Sequence, residues 1–133
     1  MDSVPTIVAR YIDAYNRMNV QAMLDCLSGD VRFINRSNGE TTNETHGIEA
    51  FRALAEQGVQ LFAEREQTIL DCIAIDDRAA VRIGYRAKVK TDLPNGWKAG
   101  QEVEMTGTSF FMITEGKIRE VIDASRGFHW SIH

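Results

Sequence analysis

One carboxylate interrupts an otherwise apolar segment near the end of the chain. Residues 117–126 are predicted to form a strand, and Asp123 lies in it among apolar residues that fall on both faces: Ile118, Val121, Ile122 and Ala124. A carboxylate in such a place must be hydrogen-bonded, charge-paired, protonated or beside a wet cavity. Burial would raise its pKa, which suits a general acid or base. The alternatives are an ion pair with Arg119 or Arg126, or an outward position at a subunit interface.

A few other polar side chains could orient a substrate or stabilise an oxyanion beside Asp123. Tyr11 and Tyr15 lie on the apolar side of the first predicted helix, where a core tyrosine with a satisfied hydroxyl is the alternative. Asn35 could donate a hydrogen bond to a carbonyl, or could merely end a strand. His46 precedes the third predicted helix and could act as an acid or base at a pocket rim, or simply start the helix.

The sequence predicts neither a metal nor an organic cofactor. His129 and His133 are four residues apart, but they lie in a C-terminal tail without a second set of ligands. The chain has no phosphate loop and no dinucleotide fingerprint. Trp97 and Trp130 could line a pocket mouth or a subunit interface.

Composition restricts the partners. A formal net charge of −4 and a pI near 5.3 argue against nucleic acid. No apolar run approaches the roughly 20 residues of a membrane helix, and the N-terminus lacks a signal-peptide pattern. Cys26 and Cys72 have no CxxC spacing, which favours reduced, buried thiols and a cytoplasmic location.

Periodicity predicts a single α+β domain over residues 1–133. Helices are expected over 4–18, where Asp2 or Ser3 could cap, over 19–27 and over 47–64, with a short strand at 31–35 and a polar loop at 36–45. Four long strands follow as a meander: 66–76, 79–90, 101–114 and 117–126. The run from Phe110 to Ile113 is apolar on both faces, although helices can cover only one. We therefore expect helices on the concave side and a homodimer through the outer face.

Four short motifs, in order, resemble the NTF2-like superfamily and its SnoaL-like, polyketide cyclase-like branch. They are VARYIDAYN in the first helix, LSGDV before the first strand, THGIEAF at the start of the third helix, and EGKI in the last hairpin. The resemblance implies a cone formed by three N-terminal helices on a strongly curved mixed sheet, with a deep pocket and commonly a homodimer. The superfamily includes isomerases, cyclases, dehydratases, epoxide hydrolases and non-catalytic proteins, so fold alone leaves the activity open.

Only a few site residues carry over from that resemblance. Asp123 matches the position where SnoaL-like cyclases and limonene-epoxide hydrolases keep an acidic residue, and Tyr11 is similar to the first-helix tyrosine of ketosteroid isomerases. The isomerase base aligns with Asn35 and the second isomerase acid falls near Thr108. The hydrolase Arg-x-Asp falls at Glu104 and Thr106, so neither machinery is complete.

Two hypotheses follow. In the first, the chain is a cofactor-independent enzyme of isomerase, cyclase or hydratase type that acts on a small apolar molecule. Its catalytic residues would be Asp123, Tyr11 and His46. The residues that line its ligand pocket would be Asn35, Tyr15, Trp97, Thr108 and Phe111. In the second, the same pocket belongs to a non-catalytic ligand-binding or dimeric accessory module.

Overall fold

A computed structural model describes residues 4–125 as three helices and six strands. The helices are α1 (Thr6–Asn16), α2 (Val20–Leu24) and α3 (Ile48–Leu61). The strands are β1 (Leu27–Ser37), β2 (Glu40–His46), β3 (Phe62–Ile75), β4 (Arg78–Val89), β5 (Glu102–Thr114) and β6 (Lys117–Ser125). The α+β class predicted from the sequence is confirmed.

All six strands form one curved sheet in the order β2-β1-β6-β5-β4-β3. Strands β3, β4, β5 and β6 are an antiparallel meander, as predicted. Strand β1 then adds parallel to β6, which makes the sheet mixed. This pairing places the end of β1 beside the part of β6 that carries Asp123.

The helices pack on one face of this sheet, which we call the inner face; the opposite face is the outer face. Ring contacts mark the packing: Phe33 of β1 lies 5.5 Å from Phe51 of α3, and Tyr11 of α1 lies 6.0 Å from Phe111 of β5, between centroids. Aromatic burial of this kind supplies much of the free energy that holds the helices to the sheet.

The polar segment 36–45, expected to be a loop, is instead a β-hairpin that contributes β2. Its turn is Asn38-Gly39, where both residues have positive φ (52° and 83°), as a two-residue hairpin turn requires. The prediction missed β2 because nearly all of its residues are exposed, so it shows no alternation of apolar and polar residues. A polar edge strand of this kind also discourages pairing with other chains.

The remaining differences are small shifts of boundaries. Helix α2 is capped by Asn19, whose side chain accepts from the Ala22 amide as expected, but it ends before Leu27. Helix α3 ends at Leu61 because Phe62 is already extended. Helix α1 begins after Pro5, and the expected caps Asp2 and Ser3 lie outside the described residues. Cys26 and Cys72 are buried free thiols, as predicted.

Candidate functional site

Asp123 lies on the inner face of β6 and is hydrogen-bonded to a neutral donor on β5. Its β6 neighbour two residues earlier, Val121, pairs with Phe111, which contacts Tyr11 of α1, so Asp123 also faces the helices. The hydroxyl of Ser109 donates to Asp123 Oδ1 at 2.6 Å, a length typical of a charge-assisted bond. No described arginine or lysine pairs with Asp123, and Arg119 instead pairs with Asp30 at 3.6 Å.

A β-bulge decides which side chain meets Asp123. In a regular β5–β6 hairpin that starts from the Glu115-Gly116 turn, Asp123 would lie opposite Thr108. The observed register shifts between Met112 and Ile113. One extra residue on β6, Arg119, has no partner on β5, which moves the pairing of Asp123 to Ser109 and leaves Thr108 on the outer face, beside Arg82 and Ala124. Ser109 is therefore a site residue that the sequence reasoning missed, since no sequence signal marks the bulge.

Burial raises the pKa of Asp123 to about 6, because it penalises the charged form of the carboxyl. The hydrogen bond from Ser109 acts in the opposite direction, since it favours the carboxylate. The residue as a whole is half-buried, and its carboxyl is surrounded by protein. A carboxyl with this pKa can both take and return a proton near neutral pH.

Tyr11 and Phe111 pack against each other between α1 and β5. Tyr11 is buried, with ring contacts to Phe51 and Phe111. Burial raises the pKa of the Tyr11 hydroxyl well above its usual value, and the negative charge of Asp123 raises it further. The phenol therefore stays neutral and can act only as a hydrogen-bond donor or acceptor at ordinary pH.

Tyr15 links α1 to β3 and β4 through three contacts. Its hydroxyl donates to the Tyr85 hydroxyl at 3.1 Å, and the guanidinium carbon of Arg65 lies 3.6 Å from its ring centroid. Arg65 Nε also donates to the Tyr15 carbonyl at 3.1 Å. Burial raises the pKa of both hydroxyls, so they too stay protonated.

Asn35 of β1 is directly opposite Asp123 in the parallel register, and therefore on the same face. Its Nδ2 donates to Thr42 Oγ1 at 2.7 Å, which ties the end of β1 to β2. The structure thus brings Asn35, Tyr11, Tyr15 and Phe111 to the side of the sheet that carries Asp123.

Three other predicted site residues lie elsewhere. His46 pairs with Arg32 on the outer face and is bonded to Glu44 at 2.8 Å, with its side chain 69% exposed. Thr108 is on the outer face, as described above. Trp97 lies in the loop after β4 and contacts Phe62 at 6.5 Å, close to Tyr85 rather than to Asp123. His129, Trp130 and Arg126 fall outside the described residues.

Two surface grooves lie along β3 and β4, and neither is lined by Asp123. The first, of about 570 Å³, runs from the end of α1 to Arg65 and Ala87. The second, of about 430 Å³, opens beside Leu70 and Gly84. The pocket expected around Asp123 stays a prediction. Within residues 4–125, no three His, Cys, Asp or Glu side chains group to hold a metal, and no helix is long and apolar enough to cross a membrane.

Solved structures share this fold over most of its length. A proposed polyketide cyclase from Xanthomonas campestris is 22% identical, with a TM-score of 0.74 over 89% of this chain and 86% of that one. A second, from Pseudomonas putida, is 25% identical, with a TM-score of 0.68 over 88% and 86%. A protein from Catenulispora acidiphila with a ketosteroid isomerase-like fold, solved with trimethylamine, is 16% identical, with a TM-score of 0.75 over 91% and 85%.

A comparison with curated proteins found no match. The model of one protein family, the SnoaL-like domain, matches residues 8–121. That span runs from α1 into β6 and ends two residues before Asp123, so it reaches every helix and strand of the fold. From the order of these elements, the mixed sheet and this match, we conclude that the chain belongs to the SnoaL-like domain family.

Proposed function

We propose that this protein is a cofactor-independent enzyme that moves a proton on a small apolar molecule bearing a carbonyl, enol or hydroxyl group. The observation that carries the proposal is Asp123 on the inner face, bonded to Ser109 at 2.6 Å, with its pKa raised to about 6. A base is most effective when its pKa lies near the working pH. The two polyketide cyclase-like neighbours described above support this class of chemistry.

The proposed step is proton abstraction next to a carbonyl. Above pH 6 the Asp123 carboxylate accepts a proton from the carbon, and the electron pair moves onto the carbonyl oxygen as an enolate. Neutral Tyr11 donates a hydrogen bond to that oxygen, and Asn35 orients the substrate from the neighbouring strand. Asp123 then returns the proton to a different carbon, or to the same one.

Proton exchange on simple ketones tests this step without the natural substrate. Wild-type protein is incubated in D₂O with a panel of apolar ketones and cyclic 1,3-diketones, and loss of the α-proton signal is followed by NMR. Asp123→Asn should keep the fold and lower the exchange rate by about 10²–10⁴-fold. Thr108→Val on the outer face is the matched control and should leave the rate unchanged. Equal rates in wild type and Asp123→Asn would refute the proposal.

The raised pKa can be tested separately on the same proteins. In a ¹³C NMR titration, the Asp123 carboxyl should titrate near 6. Ser109→Ala removes the bond that favours the carboxylate, so it should move the midpoint upward, by about one unit. A midpoint near 4 in wild type would remove the argument for a base at this position.

The alternative function is a non-catalytic ligand-binding or accessory module. This candidate predicts a ligand site away from Asp123, and the two grooves described above offer such sites. It predicts that panel compounds bind saturably while their α-protons do not exchange. The D₂O experiment therefore separates the two functions.

We also propose a homodimer through the outer face. One row of the sheet register carries apolar side chains on that face across five strands: Ile73, Ala80, Phe110, Ile122 and Ile34. Phe110 is 46% exposed and Ile73 is 64% exposed, which is costly for a monomer. Light scattering should report twice the 15.0 kDa chain mass, and Phe110→Asp should shift it to the monomer.

A further inference from the structure

Arg65 is a buried cation without a carboxylate partner among the described residues. It is 8% exposed, and its Nε donates a hydrogen bond to the Tyr15 carbonyl. Its Nη2 is buried, and no described group accepts a hydrogen bond from it. Leaving a charged donor unsatisfied in the interior costs free energy, so such an atom requires an explanation.

The acidic residues beside Arg65 do not reach it. Glu64 and Glu66 precede and follow it on β3, so their side chains point to the other face of the strand. Glu66 is paired with Arg86 at 3.1 Å. The side chain of Arg65 is instead fixed by stacking on Tyr15, and β3 is held to α1 by Asn16, which bonds both backbone groups of Gln67 at 2.7 and 3.0 Å.

Arg65 lines the 570 Å³ groove between the end of α1 and β3–β4. Residues from both faces of the edge strand β3 line this groove; four of the lining residues are cationic and three acidic, which leaves a net charge of +1: Arg17, Arg65, Arg86, Lys88, Glu64, Glu66 and Glu102. Met18, Ala63 and Ala87 supply apolar surface. The lining therefore suits a singly charged ligand with an apolar body better than a dianion.

We propose that this groove binds the carboxylate of a small organic acid, with the Nη1–Nη2 edge of Arg65 as the anion-binding group. That edge of a guanidinium matches the two oxygens of a carboxylate, and the bidentate pair is stronger than a neutral hydrogen bond. Gly58 of α3 carries no side chain beside this edge, and a β-carbon there would make an ordinary contact with Nη1 at 3.6 Å. The site is separate from Asp123 and does not depend on the function proposed above.

Benzoate is a suitable probe, and benzamide is its neutral counterpart. In a ¹⁵N NMR titration of wild-type protein at low salt, benzoate should shift amides around the groove saturably, while benzamide should not. Arg65→Met should weaken benzoate binding by at least about tenfold, because a charge-assisted pair is lost. Arg119→Met is the matched control, since its exposed charge is paired with Asp30 and lies outside the groove, and should change affinity by less than about threefold.

Two further variants test the geometry of the Arg65 contact and its separation from Asp123. Arg65→Lys retains the cation but loses the planar fork, so it should bind benzoate more weakly than wild type even if Arg65→Met fails to fold. Asp123→Asn should bind benzoate as wild type does, which separates this site from the proposed active site. The proposal is overturned by an absence of saturable shifts, by shifts centred on β6, or by equal affinity in wild type and Arg65→Lys.

Discussion

Asp123 and Arg65 both face the helices, from strands β6 and β3, with β4 and β5 between them. Asp123 is bonded to a neutral hydroxyl and can lose its charge by taking a proton at about pH 6. Arg65 cannot lose its charge in this way, so its guanidinium is stacked on an aromatic ring and bonded to a carbonyl instead. A charge that can be neutralised is suited to proton transfer, whereas a permanent charge is suited to holding an anion.

The largest expected effect comes from the charge on Asp123. Its pKa is about 6 in the folded state against an ordinary 3.8, so between these values the folded protein holds more protons than the unfolded chain. The free energy of unfolding should therefore fall as pH rises through this window, by at most about 3 kcal/mol, and level off above it.

Urea unfolding of wild type and Asp123→Asn at pH 4, 5, 6 and 7 measures this effect. The stability difference between the two proteins isolates Asp123, because other groups act in both. The hydrogen bond from His46 lowers the pKa of Glu44. The contribution of Glu44 to the free energy of unfolding therefore has the opposite trend and is lost as pH falls. Parallel pH profiles for the two proteins would show that the charge of Asp123 is not destabilising.

The second effect tests how tightly the backbone beside Asp123 is packed. A β-carbon at Gly107 would lie 2.5 Å from the carbonyl oxygen of Ala124, next to Asp123. Gly107→Ala must therefore shift the β5–β6 backbone, at a cost of about 1–3 kcal/mol. Gly29→Ala is the control, since nothing lies within 4 Å of its β-carbon. Thermal melts of both variants measure the difference; equal melting temperatures would contradict the tight packing.

The smallest effect is expected at the Arg65 end and has the opposite sign. Gly58 lies inside α3, and a β-carbon there would make only an ordinary contact with Arg65 Nη1. Gly58→Ala should therefore stabilise the protein by about 0.5–1 kcal/mol through helix propensity. A thermal melt measures this gain. A lower melting temperature would mean that Arg65 has no room to accommodate the methyl group.

The sequence was sufficient for most of the fold. Helices α1 and α3 and strand β4 have clear periodicity, because one side of each is buried and the other wet, whereas β5 and β6 were predicted from apolar runs between turn signals. Strand β2 lacks that contrast, so the strand and its pairing with β1 were missed. Strand β1 in turn pairs with β6, which is distant in the sequence.

The candidate site was only partly predictable, for two physical reasons. Asp123 was conspicuous because it interrupts an apolar strand. Arg65 was not, because it lies between two glutamates in a strand that looks solvated, and its burial depends on stacking against Tyr15 fifty residues earlier. Ser109 depended on a bulge in β6 that no local pattern of residues marks.

That bulge also constrains how the last hairpin can change in length during evolution. Deleting one residue of β5 at Met112 or Ile113, with the bulge of β6 kept, would bring Thr108 opposite Asp123 on the inner face and carry Ser109 outside, while every strand remained in place. A change of two residues would preserve which side chains face the helices. Lineages of this domain are therefore expected to vary this part of β5 in even steps, because an odd step there would exchange the side chain beside Asp123 without altering the fold.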